Sequence, residues 1–465
     1  MGLTARAAPL TGFPRVSIRR AGFIFLAELI LVLIGWMTGS FFLPLAGALT
    51  LLFALVAYRS PETAWILTWV MTPLSVEGRL PGGIALALPT EPMIVIALLA
   101  WLARGWPWHG LTAGPKSIAR PLLAMALIAL FSVVVSRFPI IGIKAWIVAA
   151  LYVAFGYAYF VSTGYRVRRV MLWLAVGVAL GSFISLFACF RLVSTGINVH
   201  AAYGASRPFF MEHGTYAAYL AFLLPSAILE SLALQRSNRV LWAAGAGALL
   251  LGLAFSYTRA AWLSILIVVP LCLSIWAIAR GSIGRVWIPA SIVLVLALGL
   301  VVSGVGDRLL RHARTVVDTD NVSNLERFNR WMAAAEMTKA HPWTGVGYGV
   351  YPEIYREYRR KSIVTEQSYG RFGVHNELLR MLAETGWAGF AASLWFVFAV
   401  GRAGVRVFVR DPHSDHGRLA FGVTCGLATY AVHSVFNSYL GIDKISVPFW
   451  VAVGMIASIH DAKRQ

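Results

Sequence analysis

Between Arg169 and Arg191 the chain reads VMLWLAVGVALGSFISLFACF (residues 170–190), with no charged side chain. As an α-helix at ~1.5 Å per residue, such a run is about 30 Å long, the thickness of a bilayer's hydrocarbon core. Arg166, Arg168 and Arg169 stand just before it and Arg191 just after it. Basic residues belong at those places, where a span meets headgroups and water. The pattern recurs along the chain. Apolar runs lie at 21–37, 41–58, 62–75, 88–104, 120–136, 143–162, 169–190, 215–234, 239–256, 259–279, 286–304, 386–402, 418–436 and 445–460. The third is short and carries Pro73. These runs predict an all-α, polytopic membrane bundle of about 12–14 spans.

Composition agrees. Of 465 residues, 58% are hydrophobic and 13% charged, against ~45–50% and ~25% in soluble domains. An ordinary soluble enzyme is excluded, and so is a disordered chain. The net charge of +20 comes from 40 basic and 20 acidic residues. The basic residues are scattered over short loops and form no stripe, which argues against nucleic acid. Cys189, Cys272 and Cys425 sit in apolar stretches without a CxxC pair, so neither a disulfide framework nor a zinc site is expected. Arg6, Arg15, Arg19 and Arg20 precede a long first run without a clear cleavage site, which reads as a retained helix.

Charge also orients the bundle. With the N-terminus in the cytoplasm and alternating spans, the short inner segments hold 21 basic residues and the short outer loops 7. The long segment 305–385 holds 12 and is exempt from the rule. Both termini are then cytoplasmic and 305–385 is extracytoplasmic. This divides the chain into an N-terminal bundle (1–304, about 11 spans), a lid (305–385) and C-terminal helices (386–465, about three spans). Within the lid, Leu325, Phe328, Trp331, Met332, Ala335 and Met337 follow helical spacing, and Pro342 stops that helix. Gly345, Gly347 and Gly349 make a turn. A second short helix over 350–361 carries Tyr351, Ile354, Tyr355 and Tyr358 on one side. About eighty residues make too small a core to stand alone, so the segment reads as a lid across the bundle's mouth.

Three residues stand out chemically. Arg207, in the loop 191–214, and Arg259, at the outer end of a span, run against the topology bias. A guanidinium suits phosphate oxygens; the alternative is headgroup contact. His375 stands at a helix entrance, with Asn376 placed to cap it and Glu377 in the first turn. Its imidazole suits a general base, and a plain capping histidine is the alternative. His433 and Asp443, near the outer end of the thirteenth run, are accessory candidates. No metal or cofactor motif and no GxxxxGK[ST] loop is found.

The run H-[NSQ]-x9-G-x-x-[GTY], met by His375, Asn376, Gly386 and Gly389, resembles the signature of the O-antigen ligase family, within the superfamily that also holds O-antigen and exopolysaccharide polymerases. Arg259 and Leu263 resemble its R-x3-L element, and His341-Pro342 to Gly347 its h-P-x-x-G-x-G turn. Arg207 to Gly214 resembles a third element but departs from it, with Phe-Phe-Met-Glu-His-Gly after Pro208 where relatives show Gly-Thr-Phe and Pro-Asn. The resemblance implies a multi-pass, metal-independent glycosyltransferase of the bacterial inner membrane. Its donor would be a glycan on undecaprenyl diphosphate, and its acceptor lipid A-core or another lipid-linked repeat unit. It implies His375 as the base, Arg207 and Arg259 on the diphosphate, and the Tyr and Trp of 325–361 lining the acceptor's approach by stacking on sugar rings. A transporter or flippase is the rival of another class, but Glu28 is the clear mid-span acid and has no matching partner. A non-catalytic scaffold would leave the Arg–Arg–His set unexplained.

Overall fold

The computed structural model describes residues 42–79, 85–105, 114–164, 166–233, 236–281, 322–359 and 373–462. The expected spans 21–37 and 286–304 lie outside the described residues. The rest is helical: α1 (Phe42–Arg59), α2 (Pro61–Met71), α3 (Thr90–Ala103), α4 (Lys116–Val134), α5 (Pro139–Thr163), α6 (Val167–Thr195), α7 (Val199–Ala205), α8 (His213–Ala233), α9 (Arg236–Ala254), α10 (Arg259–Ala279), α11 (Val322–Ala340), α12 (Tyr351–Tyr358), α13 (Glu377–Arg410), α14 (Asp415–His433) and α15 (Asp443–Ala462). Six of these (α4, α5, α6, α8, α10 and α13) are long and apolar enough to cross a membrane. Shorter apolar helices cover Gly47–Arg59, Thr90–Ala103 and Asn238–Ala254. The chain is thus an all-α polytopic bundle. A small antiparallel hairpin, β1 (Val76–Arg79) with β2 (Ala85–Leu88), caps the α2–α3 connection.

The bundle has two chemically marked ends. At one, Arg169 at the start of α6 donates to Glu62 of α2 (3.0 Å), and Arg418 joins Glu230 and Asp415 at 2.8 Å each. At the other, Ser75 donates to Asp443 (2.8 Å), Thr258 to the His213 carbonyl (3.3 Å), and the Glu377 N–H to the Ser434 carbonyl (2.8 Å). Every one of these contacts joins segments that the charge arithmetic assigns to a common side. The short run at 62–75 breaks into α2 and a 3-10 turn, Thr72–Leu74, at Pro73. It nevertheless reaches from Glu62 at one end to Ser75 at the other.

The cysteine expectation fails at one point. Cys272 of α10 and Cys425 of α14 are joined by a disulfide, with Cα atoms 6.4 Å apart, while Cys189 is free. The two are 153 residues apart in sequence. Only the packing of α10 on α14 brings them together.

The lid packs on the second end. Ala333, Ala334, Met337, Val350, Tyr351, Ile354 and Tyr355 form a small core closed by Val374 and Ala383. Helix α11 buries Glu326, Asn329, Arg330, Ala333, Ala334, Met337 and Thr338. That face differs from the expected one, since Phe328 is exposed. The helix lies over polar bundle ends, so its polar residues turn inward. The tyrosines also depart from expectation. Tyr351 and Tyr355 stack on each other (5.9 Å) inside the lid core, and Tyr351 donates to the Arg330 carbonyl. They hold the lid together and are not presented to a glycan.

Candidate functional site

Helix α13 positions the central histidine. Asn376 caps it, its side-chain oxygen accepting from the Leu379 N–H (3.0 Å). His375, one residue earlier, has φ +56°. Among the described residues only Tyr257 is another non-glycine with positive φ, and it lies two residues before Arg259. Such backbone is costly, at ~1–3 kcal/mol, and tends to mark functional sites. Here both instances flank expected site residues.

Below the cap, α13 kinks at Gly386 (φ +67°, ψ −171°). The kink frees carbonyls that a straight helix would use itself, and the turn at 342–349 takes them. The Val346 N–H donates to Ala383 (2.9 Å), the Gly347 N–H to Glu384 (3.0 Å), and the Trp387 N–H to Pro342 (2.8 Å). A Cβ on Gly345 would lie 2.2 Å from the Glu384 backbone, and one on Gly386 would lie 2.5 Å from the Trp343 carbonyl. The two glycine motifs are therefore one structural joint. On its other side the turn docks on the α4–α5 corner, where Ser136 donates to Val346 (2.8 Å) and the Tyr348 N–H donates to Ser132 (3.1 Å). Arg380 reinforces the joint. It bonds Glu377 and Glu384 (2.7 Å to the latter) and lies over the Tyr348 ring (5.3 Å).

Electrostatics show which charged groups act on one another near His375. Burial first, then the guanidinium groups of Arg330 and Arg327, push the His375 imidazole down to about 4, opposed by the Asn437 side chain, which favours its charged form. Burial first, then Arg259 and Arg330, hold Arg327 below the ordinary arginine range, opposed only by the phenols of Tyr439 and Tyr203. Among the described residues, no carboxylate is among the groups acting on either residue. Arg330 pairs with Glu326 (3.5 Å). Arg259 is the first residue of α10, whose cap residue Thr258 makes no side-chain cap.

The expected residues are placed as follows. Arg259 and His375 belong to one electrostatic neighbourhood, bridged by Arg327. His433 also feels Arg327, and Asn437 donates to its Nε2 (3.0 Å). Arg207 is exposed, its Nε donating to the Met211 carbonyl (3.4 Å) and its own carbonyl held by Arg191. It follows α7, whose Tyr203 acts on both Arg259 and Arg327, but no described interaction joins Arg207 itself to them. Asp443 belongs to a separate group. It accepts from Ser75, beside buried Lys444, which donates to the Ser75 carbonyl (2.6 Å) and lies over Phe210 (4.9 Å). Leu263 is 40% exposed on the outside of α10. Gly389 faces Thr385 and Ile128.

Sequence reasoning missed Arg327, Arg330 and Asn437. Arg327 and Arg330 stand three apart on one helix face, a signal legible in Glu326-Arg327-Phe328-Asn329-Arg330 had the polar face been taken as the inner one. Asn437 carried no signal. Among the described residues, no group of three histidine, cysteine or acidic side chains is arranged to hold a metal.

No curated protein matches the chain significantly. The family model described as O-antigen ligase matches residues 244–394, from within α9 to within α13. That stretch contains Arg259, Arg327, Arg330, His375 and the Gly345–Gly386 joint, while Arg207, His433 and Asn437 lie outside it. Over residues 244–394 the chain is thus similar to the O-antigen ligase family.

Proposed function

We propose that the protein transfers a glycan from undecaprenyl diphosphate to an acceptor hydroxyl at the lid end of the bundle, on the periplasmic side of the inner membrane. The observation that carries this reading is a chain of cations, Arg327 and Arg330 acting on His375 and Arg259 acting on Arg327, with no carboxylate among the described residues acting on Arg327 or His375. Like charges held together in a partly dry site call for an anion, and a diphosphate supplies it.

In the reaction, the acceptor oxygen bonds to the sugar's anomeric carbon as the carbon–oxygen bond to the diphosphate breaks. Negative charge builds on the leaving diphosphate, where Arg259 and Arg327 stabilise it. Arg207, on the neighbouring loop, meets the phosphate from the entrance side. His375 takes the hydroxyl proton. Its low affinity for protons keeps the ring neutral at pH 7. A bound diphosphate offsets the Arg327 and Arg330 charges and so raises the ring's basicity when the acceptor is present. The glycan acceptor, lipid A-core or a second lipid-linked unit, approaches below the lid.

The test is His375→Ala, inserted in membranes at wild-type level, assayed for transfer from an undecaprenyl-diphosphate-linked glycan. Loss of transfer is expected, and transfer at the wild-type rate removes the base assignment. The acceptor is read from a deletion strain. Loss of all capped core marks a ligase, whereas single repeat units remaining on the core mark a polymerase.

A further inference from the structure

We infer that the lid rests on the bilayer: Trp343 of the 342–349 turn and Trp387 of α13 form an aromatic anchor at the headgroup level of the lid-side leaflet. The inference needs only that α4 and α13 span the membrane, and it does not depend on the transfer chemistry.

Trp343 is 73% exposed, and among the described lid residues only Phe328 is another large apolar side chain left open. Trp343 takes no part in the lid core. An indole is poorly placed in bulk water, whereas a layer that is apolar on one side and wet on the other suits it. Its backbone is not free to swing away. The Trp387 N–H donates to the Pro342 carbonyl (2.8 Å), and a Cβ on Gly386 would lie 2.5 Å from the Trp343 carbonyl. Trp343 is thereby fixed next to the chain at Trp387, which is 49% exposed and set edge-on to Phe390 (5.8 Å).

Two spans independently set the depth of this pair. Beyond Trp387, the exposed side chains Leu394, Trp395 and Phe398 recur at helical spacing and form one apolar stripe on α13. The stripe ends at exposed Arg402 and Arg406. Those arginines follow Trp387 by 15 and 19 residues, roughly 22–29 Å at ~1.5 Å per residue. That distance is close to the ~30 Å of a hydrocarbon core, with the arginines reaching for the far headgroups. Helix α4 measures the same length in the other direction. Exposed Lys116 and Arg120 precede Val135 by 19 and 15 residues. Between them lies a second stripe, Leu123, Leu127, Phe131 and Val134, each 56–68% exposed. The lid turn is held at that end of α4, through Ser132 and Ser136. With the basic ends of both helices in one headgroup layer, the turn at their other ends lies in the opposite one. Its occupant is lipid, continuous with the lipid that covers the two stripes.

The experiment places a bimane fluorophore on Trp343→Cys in the full-length protein, reconstituted in phosphatidylcholine–phosphatidylglycerol nanodiscs. The background carries Cys189→Ser, since Cys189 is the free thiol and Cys272 is paired with Cys425. Quenching is read with lipids spin-labelled at the headgroup, just below it, or near the chain end, and with aqueous iodide. Phe398→Cys, eleven residues past Trp387 and so ~16 Å deeper, is the mid-membrane control. The Trp343→Cys label should be quenched by headgroup and shallow spin labels at least about twofold more than by the chain-end label, as befits an interfacial ring. Phe398→Cys should show the reverse order. Full quenching by iodide without quenching by any lipid would mean that the lid stands clear of the membrane, and would overturn the inference. Strongest quenching by the chain-end label would overturn it too. So would protection from every quencher, which marks a surface covered by protein such as a second copy. If Trp343→Cys does not insert, His341→Cys, exposed on the same segment, decides by the same criteria.

Discussion

Replacing Gly386 by alanine tests the joint on which the site geometry rests. Its φ +67° and ψ −171° fall in a region that is essentially glycine-only. Adopting it costs an alanine ~1–3 kcal/mol. The added Cβ would lie 2.5 Å from the Trp343 carbonyl carbon and oxygen and 2.7 Å from the Pro342 oxygen. Those are backbone atoms, so relief requires the 342–349 turn to back away. Retreat endangers the three hydrogen bonds from Val346, Gly347 and Trp387, each worth ~0.5–1.5 kcal/mol. Strain and lost bonds together amount to about 5 kcal/mol. The control is Gly401→Ala on the same helix, where a Cβ meets nothing within 4 Å. Thermal unfolding in detergent and limited proteolysis of the lid report the outcome. Gly386→Ala should unfold at a much lower temperature and expose the lid to protease, while Gly401→Ala should match wild type. If Gly386→Ala keeps a wild-type melting temperature and lid protection, the joint does not hold the lid.

Three further outcomes are expected. Arg327→Leu should weaken donor binding and move the acid limb of the transfer profile upward from about 4 toward the ordinary histidine range, because one of the charges that lower His375 is gone; a limb that moves down or stays fixed contradicts this. Arg380→Leu should cost ~3–5 kcal/mol of stability, since Glu377 and Glu384 would lose their shared cation inside the protein; unfolding measurements indistinguishable from wild type would refute it. Peptide mapping without reductant should recover Cys272 linked to Cys425 and Cys189 as a free thiol, and alkylation of all three cysteines without reduction would contradict the pairing.

Much of the fold was legible because a lipid solvent leaves a simple mark. A run such as 170–190 has one physical use, and arginines at its ends confirm it. The frame of the site was legible too: Asn376 caps α13 as its residue type suggests, and Gly386 stands where the backbone needs a glycine. What escaped depends on tertiary docking. The apolar positions of α11 pointed to Phe328 as an inner residue, yet the helix sits over polar loops and turns Arg330 and Asn329 inward. Asn437 takes its place only from the fold of the turn after α14, where its amide reaches buried His433 (3.0 Å). The Cys272–Cys425 pair likewise depends on which helices become neighbours.

The measurement that tests the account most directly is a structure with undecaprenyl diphosphate bound. The account predicts phosphate oxygens in hydrogen-bond contact with Arg259 and Arg327, and the terminal phosphate beside His375. A diphosphate seated elsewhere, at the opposite end near Arg169 and Arg418 or against Lys444 with the arginine cluster empty, would contradict it.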